Sequence, residues 1–358
     1  MRKSILRLRP YVPGKPIEEV ERELGITDII KMASNENALG PSPLAVKAMK
    51  EAVEDVGLYP DGNCFRLKLA VAKHCGVEPE NLIFGNGSDD VIHMIGLTFL
   101  QPGDECIQSD VTFSQYEGVA VLNDSVYHLT PVKDFRYDVD AMSERINKNT
   151  KLIFIANPNN PTGTMVTHTE VERLMSRMTE RSILVLDEAY YEYVESPEYP
   201  RSIGWVKEGR NIIVLRTFSK VYGLAGLRVG YGVAKPDLVK YLERVREPFN
   251  VNSVAMAGAI ASLQDPDQVA RSTALNSSGK KYLYAEFERM GLKYSPSEAN
   301  FIWVDVKKDS VQVFKELLKK GVIIRTGDIF GAPTHIRVTI GTEEQNVRFV
   351  KALSEVLA

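Results

Sequence analysis

The sequence predicts an α/β protein: a mainly parallel seven-stranded sheet in a large domain, plus a smaller α+β domain. Three observations carry this. Between about residues 80 and 235, seven short apolar runs alternate with longer helical patterns. The runs are apolar on consecutive residues, which marks strands buried on both faces of a parallel sheet covered by helices. After Pro248 the alternation stops, and at 358 residues the chain is longer than one core of roughly 250–300 residues fills.

The runs, in order, are LIFG (82–85), ECIQ (105–108), SVYHL (125–129), KLIFIA (151–156), SILVL (182–186), NIIVL (211–215) and LRVGYG (227–232). Helix starts lie between and before them. Ser42 followed by Pro43 opens one amphipathic stretch, and Thr167 with Glu170 has the spacing of a capping box. Beyond 248 the pattern reads as a long helical region over about 253–291, the strand NFIWVDV, a helix ending at Gly321, the strands VIIRTG and HIRVTI, and a last helix opened by Thr342 and Gln345. The expected division is a large domain over 31–248, with 1–30 and 249–358 forming the small domain and its N-terminal arm.

Composition narrows the function. Forty-four basic against 47 acidic residues leave a net charge of −3, so no basic excess drives nucleic-acid binding. The mean hydropathy is −0.16 and no apolar run reaches the ~18 residues of a membrane span. MRKSILRLRP lacks the apolar core of a signal peptide. Three cysteines (Cys64, Cys75, Cys106) without CxxC spacing read as reduced thiols, and the five histidines show no metal-ligand spacing. A soluble cytoplasmic protein without a metal is expected.

Four buried runs lead directly into polar or glycine-rich clusters: GNGSDD (85–90), NPNNPTG (157–163), DEAYYEY (187–193) and RTFSKVYG (216–223). In open α/β sheets, ligands bind outside the carboxyl ends of the strands. The amides at 87–89 open a helix and suit a phosphate, although a glycine pair alone is equally an ordinary turn. Asn157, placed at a strand end, is the asparagine with a ligand contact; Asn159, Asn160 and Thr162 read as turn residues. Asp187 ends a buried strand and needs a cationic or hydrogen-bonding partner. From these residues alone it could as readily cap the next segment, and Tyr190 could as readily be packing. Lys220 is either a solvated loop residue or a desolvated amine able to form a Schiff base. Arg228, in an apolar strand, implies an anion.

Together these residues resemble the fold-type I pyridoxal-phosphate aminotransferases. Asn157, Asp187 with Tyr190, the TFSK motif at 217–220, and Arg228 eight residues after Lys220 match that family's motifs in order, along nearly the whole chain. Within it the sequence is similar to the histidinol-phosphate aminotransferase family. That likeness rests on YVPG (11–14), ASNEN (33–37) with Leu39 and Gly40, YPDG (59–62), Asn300-Phe301, Ile324-Arg325 and IRVTIG (336–341). Ala38 and Asp110 depart from it, standing where proline is common.

The resemblance implies a homodimeric enzyme that uses pyridoxal 5′-phosphate. It would exchange amino groups between L-histidinol phosphate and 2-oxoglutarate in histidine biosynthesis. Lys220 would be the covalent attachment point and proton shuttle, and Asp187 the partner of the pyridine nitrogen. Tyr190 and Asn157 would bond the ring's 3′ oxygen, and Phe113 would cover its face. Gly87, Ser88, Asp89, Thr217, Ser219 and Arg228 would hold the cofactor phosphate, joined by Tyr59 from the second subunit. Arg325, Arg337, Tyr11 and Asn157 would bind substrate. An aromatic amino-acid aminotransferase and a threonine-phosphate decarboxylase remain as alternatives on the same scaffold.

Overall fold

The computed structural model describes residues 3–8, 10 and 14–358. Tyr11 lies outside them. Seven strands build the central sheet: β1 (Leu82–Gly85), β2 (Glu105–Ser109), β3 (Val126–Thr130), β4 (Thr150–Ala156), β5 (Ile183–Asp187), β6 (Ile212–Thr217) and β7 (Gly230–Ala234). Their spatial order is β1-β7-β6-β5-β4-β2-β3. Only β7 runs antiparallel to its neighbours; β6, β5, β4, β2 and β3 pair in parallel. All residues of β5, β6 and β7 are buried, as consecutive apolar runs require.

Two cores sandwich the sheet. One face packs Ile153, Ile155, Leu184, Leu186 and Val214 against α1 (Pro43–Ala52) and α2 (Phe65–Cys75). The other packs Leu152, Phe154, Val185 and Ile213 against α3 (Ser88–Phe99) and α4 (Gln115–Leu122). The alternation of adjacent residues between the two cores is the period-two geometry of a strand. The expected helix starts form: Ser42 accepts from Ala45 N–H, and Thr167 with Glu170 makes a complete capping box.

A second sheet contains β8 (Lys293–Ser295), β9 (Phe301–Asp305), β10 (Arg325–Thr326) and β11 (His335–Thr339), in the order β8-β9-β11-β10. It packs Ile302, Val304, Ile336 and Val338 against Leu283, Phe287, Phe349 and Leu353. The helix Ile17–Leu24 joins this unit through Val20, which meets Ala33, Leu318 and Ile323. No helix among the described residues is long and apolar enough to cross a membrane.

Three expectations change. The helical region over 253–291 is two helices, α5 (Ser253–Ser262) and α6 (Pro266–Arg289), because Pro266 cannot extend a preceding helix and Asp265 caps the next one. Val251, Ala255, Met256 and Ala259 lie in the core with Leu67 and Val71, so α5 packs with the large unit. We therefore propose a boundary at 263–265 in place of 248. The run VIIRTG divides as well: Val322–Ile323 pairs with Ile30–Lys31, whereas β10 pairs with β11.

Candidate active site

The carboxyl ends of β4, β5 and β6 and the start of α3 meet at a cavity of about 200 Å³ that also reaches β10 and β11. Asp187, the last residue of β5, lines its floor. Its Oδ2 accepts the Tyr116 hydroxyl at 2.8 Å and its Oδ1 accepts Ala189 N–H at 3.2 Å. Burial pushes this carboxyl up to about 6, while the Tyr116 hydrogen bond acts in the opposite sense. Glu188, one residue on, turns to the other side of the sheet and is paired with buried Arg216 at 2.8 Å.

Lys220 is the only lysine among the described residues lining the cavity. Its Nζ donates to the Ser34 carbonyl at 3.4 Å and lies 5.6 Å from the centre of the Tyr190 ring. The turn behind it is fixed from the N-terminal segment: Asn37 Nδ2 donates to the Val221 carbonyl at 2.7 Å. Gly223, at φ +69°, allows the chain at Gly40 to approach so closely that a Cβ would lie 2.5 Å from its carbonyl. Tyr190 is buried, its hydroxyl accepting from Asn35 Nδ2 at 2.9 Å.

At one end the cavity forms a cradle. Gly87 precedes α3 at φ +85° and has no side chain to cap it, so the first amides of α3 keep their donor capacity. Arg228 Nη1 donates to Ser219 Oγ at 3.3 Å, and its Nη2 lies 3.6 Å from Asp89 Oδ2. Thr217 Oγ1 bonds both Ser219 Oγ and Ser219 N–H. A Cβ at Gly87 would stand 2.4 Å from Arg228 Nη2, and one at Gly230 2.4 Å from Ser88 N. Arg228 lies outside the strand in which the sequence pattern places it. It precedes β7 in the left-handed region (φ +56°), a turn that swings its guanidinium to the cradle instead of the sheet.

At the other end, Arg325 and Arg337 are directly paired across β10 and β11, and both line the cavity. Like charges directly opposite each other are unfavourable, so this arrangement suits an anion. Arg337 is buried; its Nη2 donates to the Ala33 carbonyl at 2.6 Å and its Nη1 to Asn160 Oδ1.

Of the residues predicted for the site, Ser88, Asp89, Phe113, Asp187, Tyr190, Thr217, Ser219, Lys220, Arg228, Arg325 and Arg337 all line this one cavity, and Gly87 adjoins it. Asn157 does not. Its Nδ2 donates to the Val166 carbonyl at 3.1 Å and its Oδ1 accepts Val166 N–H at 2.9 Å, so its amide serves the loop itself. Asn160, read from sequence as a turn residue, lines the cavity in its place. The chain after β4 folds back over the sheet end, which carries the fourth residue inward. Tyr59 is 85% exposed, stacked on Phe249 at 4.8 Å and outside the cavity of this chain. Tyr116 is a site residue that nothing in its local sequence separates from core residues, and Asn35, present in ASNEN, gains its role only through its contact with Tyr190.

A family model for aminotransferase class I and II matches residues 27–353. The chain belongs to the class I and II aminotransferases. Within that family it is similar to the histidinol-phosphate aminotransferase of Moorella thermoacetica, 54% identical over 100% of this chain and 93% of the relative. It is similar also to that of Caldicellulosiruptor saccharolyticus, 48% identical over 99% of each chain. Among solved structures it resembles the histidinol-phosphate aminotransferase from Sinorhizobium meliloti in complex with pyridoxal 5′-phosphate. That likeness has a TM-score of 0.92 and 28% identity, covering 100% of this chain and 97% of that one. The fold is the fold-type I arrangement expected from the sequence.

The site fits that cofactor. A buried carboxylate aimed into a cavity calls for a cation such as a protonated pyridine nitrogen. The two glycines leave a concavity beside Arg228 and free helix amides, which a phosphate group fills.

Proposed function

We propose that this protein is a pyridoxal-phosphate-dependent aminotransferase. It interconverts L-histidinol phosphate and 2-oxoglutarate with imidazole-acetol phosphate and L-glutamate, a step of histidine biosynthesis. The observation that carries the substrate reading is the full-length likeness to histidinol-phosphate aminotransferases, and the Arg325–Arg337 pair facing the same cavity as Lys220 supplies the anion site that such a substrate needs.

Pyridoxal phosphate, when bound, supplies the electron sink that stabilises the carbanion left by a deprotonated Cα. The chain does the rest. Lys220 Nζ is the amine for covalent attachment to the cofactor's carbonyl carbon. The same nitrogen, when free, would hold the proton taken from the substrate's Cα and give it back, acting as base and then acid. Asp187 holds the proton on the ring nitrogen, and that cation in turn favours the charged form of a carboxyl that burial pushes up to about 6. The Tyr190 hydroxyl, accepting from Asn35, keeps its own proton to donate to the ring's 3′ oxygen. Asn160 is the amide we assign beside it, in the role that the sequence pattern gave to Asn157. Phe113, on the cavity wall, covers one ring face. The amides of Ser88 and Asp89 with Thr217, Ser219 and Arg228 anchor the cofactor phosphate, and Gly87, whose own N–H donates to the Gly85 carbonyl at 2.8 Å, leaves the room for it.

Arg325 and Arg337 bind the substrate's phosphate in one half-reaction and the carboxylates of glutamate and 2-oxoglutarate in the other, since guanidinium forks accept both anions. On the sequence resemblance alone, Tyr11 would be a further donor to substrate. Leu44, Val53, Val56, Leu58, Tyr59 and Phe65 are all exposed, a concentration of apolar surface that a second copy of the chain would cover. In that homodimer Tyr59 reaches the partner's cofactor phosphate. A cytoplasmic setting agrees with three unpaired cysteines.

The test is a half-reaction without keto acid. Cofactor-loaded protein is mixed separately with L-histidinol phosphate, L-phenylalanine and L-threonine O-phosphate while the cofactor absorbance is followed. Conversion to the amine form is expected to be fastest with histidinol phosphate. A faster response to phenylalanine would reassign the substrate, and carbon dioxide release from threonine phosphate would make the enzyme a lyase.

A further inference from the structure

Tyr116 stands in the first turn of α4, and the reaction outlined above uses none of its atoms. Its side chain is nonetheless fully buried beside the site. The ring stacks on Phe154 of β4 at 4.8 Å and 9°, and meets Phe113 edge-on at 5.7 Å. Its hydroxyl ends on Asp187 Oδ2 at 2.8 Å. One side chain therefore touches both the aromatic on the cavity wall and the carboxylate on its floor.

We propose that Tyr116 is a positioning residue for the cofactor: its hydroxyl fixes the Asp187 carboxylate while its ring seats Phe113, so the contacts to the ring nitrogen and the ring face share one support. This inference rests on the cofactor reading above. A carboxylate held only by Ala189 N–H could rotate about its terminal torsion, and a second donor on the other oxygen removes that freedom. Of the groups acting on Asp187, burial opposes its charge most, Asp89 and Glu188 oppose it further, and Tyr116 and the Ala189 amide favour it. Burial, with Asp187 close by, keeps the Tyr116 hydroxyl protonated well above the usual tyrosine range, so it remains a donor throughout the working range. The backbone ahead of Phe113 has its own restraints: Thr112 Oγ1 bonds the Tyr137 hydroxyl at 2.6 Å and Asn159 Oδ1 at 2.9 Å. Removing one oxygen from Tyr116 thus leaves that loop in place.

The experiment is a double-mutant cycle on cofactor affinity. Apoprotein of the wild type, Tyr116→Phe, Asp187→Asn and the double variant is titrated with pyridoxal 5′-phosphate, following quenching of protein fluorescence. Tyr116→Phe is expected to weaken binding about tenfold or more, as loss of a hydrogen bond to a charged group does. In the Asp187→Asn background the same change should cost less than about twofold, since the charge it served is gone. A second reading uses the loaded enzyme: kcat should fall while KM for the amino donor stays within about twofold. Near-UV circular dichroism of the Tyr116→Phe apoprotein should match wild type, because the ring stack is kept. An equal loss in both backgrounds would reduce Tyr116 to packing and overturn the inference, as would wild-type affinity in Tyr116→Phe. If wild-type apoprotein takes up no pyridoxal phosphate, the cofactor reading falls and this inference with it.

Discussion

Asn35 Nδ2 donates to the hydroxyl of Tyr190 at 2.9 Å, a contact between residues 155 positions apart. Asn35 holds a left-handed backbone at φ +59°, is almost fully buried, and bonds Thr339 Oγ1 through both its amide N–H and its Oδ1. It links Tyr190, three residues beyond β5, to the end of β11 in the second sheet.

Asn35→Ala removes the donor to Tyr190 and places alanine in a conformation that asparagine tolerates better. We expect a stability loss of about 2–3 kcal/mol from the unpaired buried groups and the backbone cost together. Urea unfolding measures it. We expect kcat/KM to fall about tenfold alongside, as Tyr190 loses the contact that aims its proton. Unchanged stability would contradict the network described here.

Asn160 and Asn157 should separate cleanly. Asn160→Ala takes away the acceptor for Arg337, so both substrate KM and cofactor affinity should worsen by about tenfold, with little change in melting temperature. Asn157→Ala removes two buried bonds to Val166 and should cost about 1–3 kcal/mol in stability with smaller kinetic effects. Steady-state kinetics and thermal melts on the two variants decide. The reverse pattern would restore Asn157 as the ligand.

Gly87→Ala puts a methyl group 2.4 Å from Arg228 Nη2 at a backbone φ of +85°. Either Arg228 leaves the cradle or the turn shifts. Cofactor affinity of the apoprotein should drop by at least about tenfold, equivalent to ~1.4 kcal/mol, measured by equilibrium titration. Retained wild-type affinity would mean that the phosphate lies elsewhere.

The Asp187 carboxyl is raised from 3.8 to about 6 in the folded apoprotein. Between these values the native state binds more protons than the unfolded chain, so this group makes stability fall as pH rises through that window. The penalty is absent below about pH 4 and complete above about pH 7, at ~3 kcal/mol for a shift of roughly two units. Apoprotein of Asp187→Asn should therefore be more stable than wild type at pH 8, and the gap should close towards pH 4. Paired urea curves across this range test it; a constant gap would remove burial of the charge as the cause. With cofactor present the same variant should lose activity, having no anion for the ring nitrogen.

Tyr59 gives a test of the proposed homodimer and its shared site. Lys220→Ala and Tyr59→Ala homodimers should each be impaired. Mixed and exchanged, they should regain about a quarter of wild-type activity, since half of the dimers would be mixed and each of those would carry one intact site. No recovery after verified exchange would place Tyr59 in the site of its own chain or outside it.

Much of the site was legible because its chemistry is local in the chain. Asp187 ends a run of buried apolar residues and Thr217, Ser219 and Lys220 follow another, so strand ends alone place them on one edge of the sheet. Capping at Ser42, Thr167 and Thr342 could likewise be read directly, since a cap involves residues three apart.

The rest depended on the path of the chain in three dimensions. Distance from a strand end favoured Asn157, yet the loop folds back, so Asn157 bonds the chain nine residues ahead and Asn160 meets Arg337 from another sheet. Arg228 looked like a strand residue because its neighbours are apolar; a left-handed turn at that residue takes it out of the ladder. Helix α5 followed a proline and a change of pattern, but which core receives Ala255 and Ala259 is settled by what lies opposite them. Tyr116 carries no local mark at all, and Asn35 shows in the sequence only as part of ASNEN, without its contact to Tyr190. The sequence by itself determined the kinds of strand, the caps and which polar residues stand at the strand ends, because those follow from periodicity and hydrogen bonds over a few residues. Only the tertiary structure decided which polar groups face each other across the cavity, because those contacts join residues tens to hundreds of positions apart.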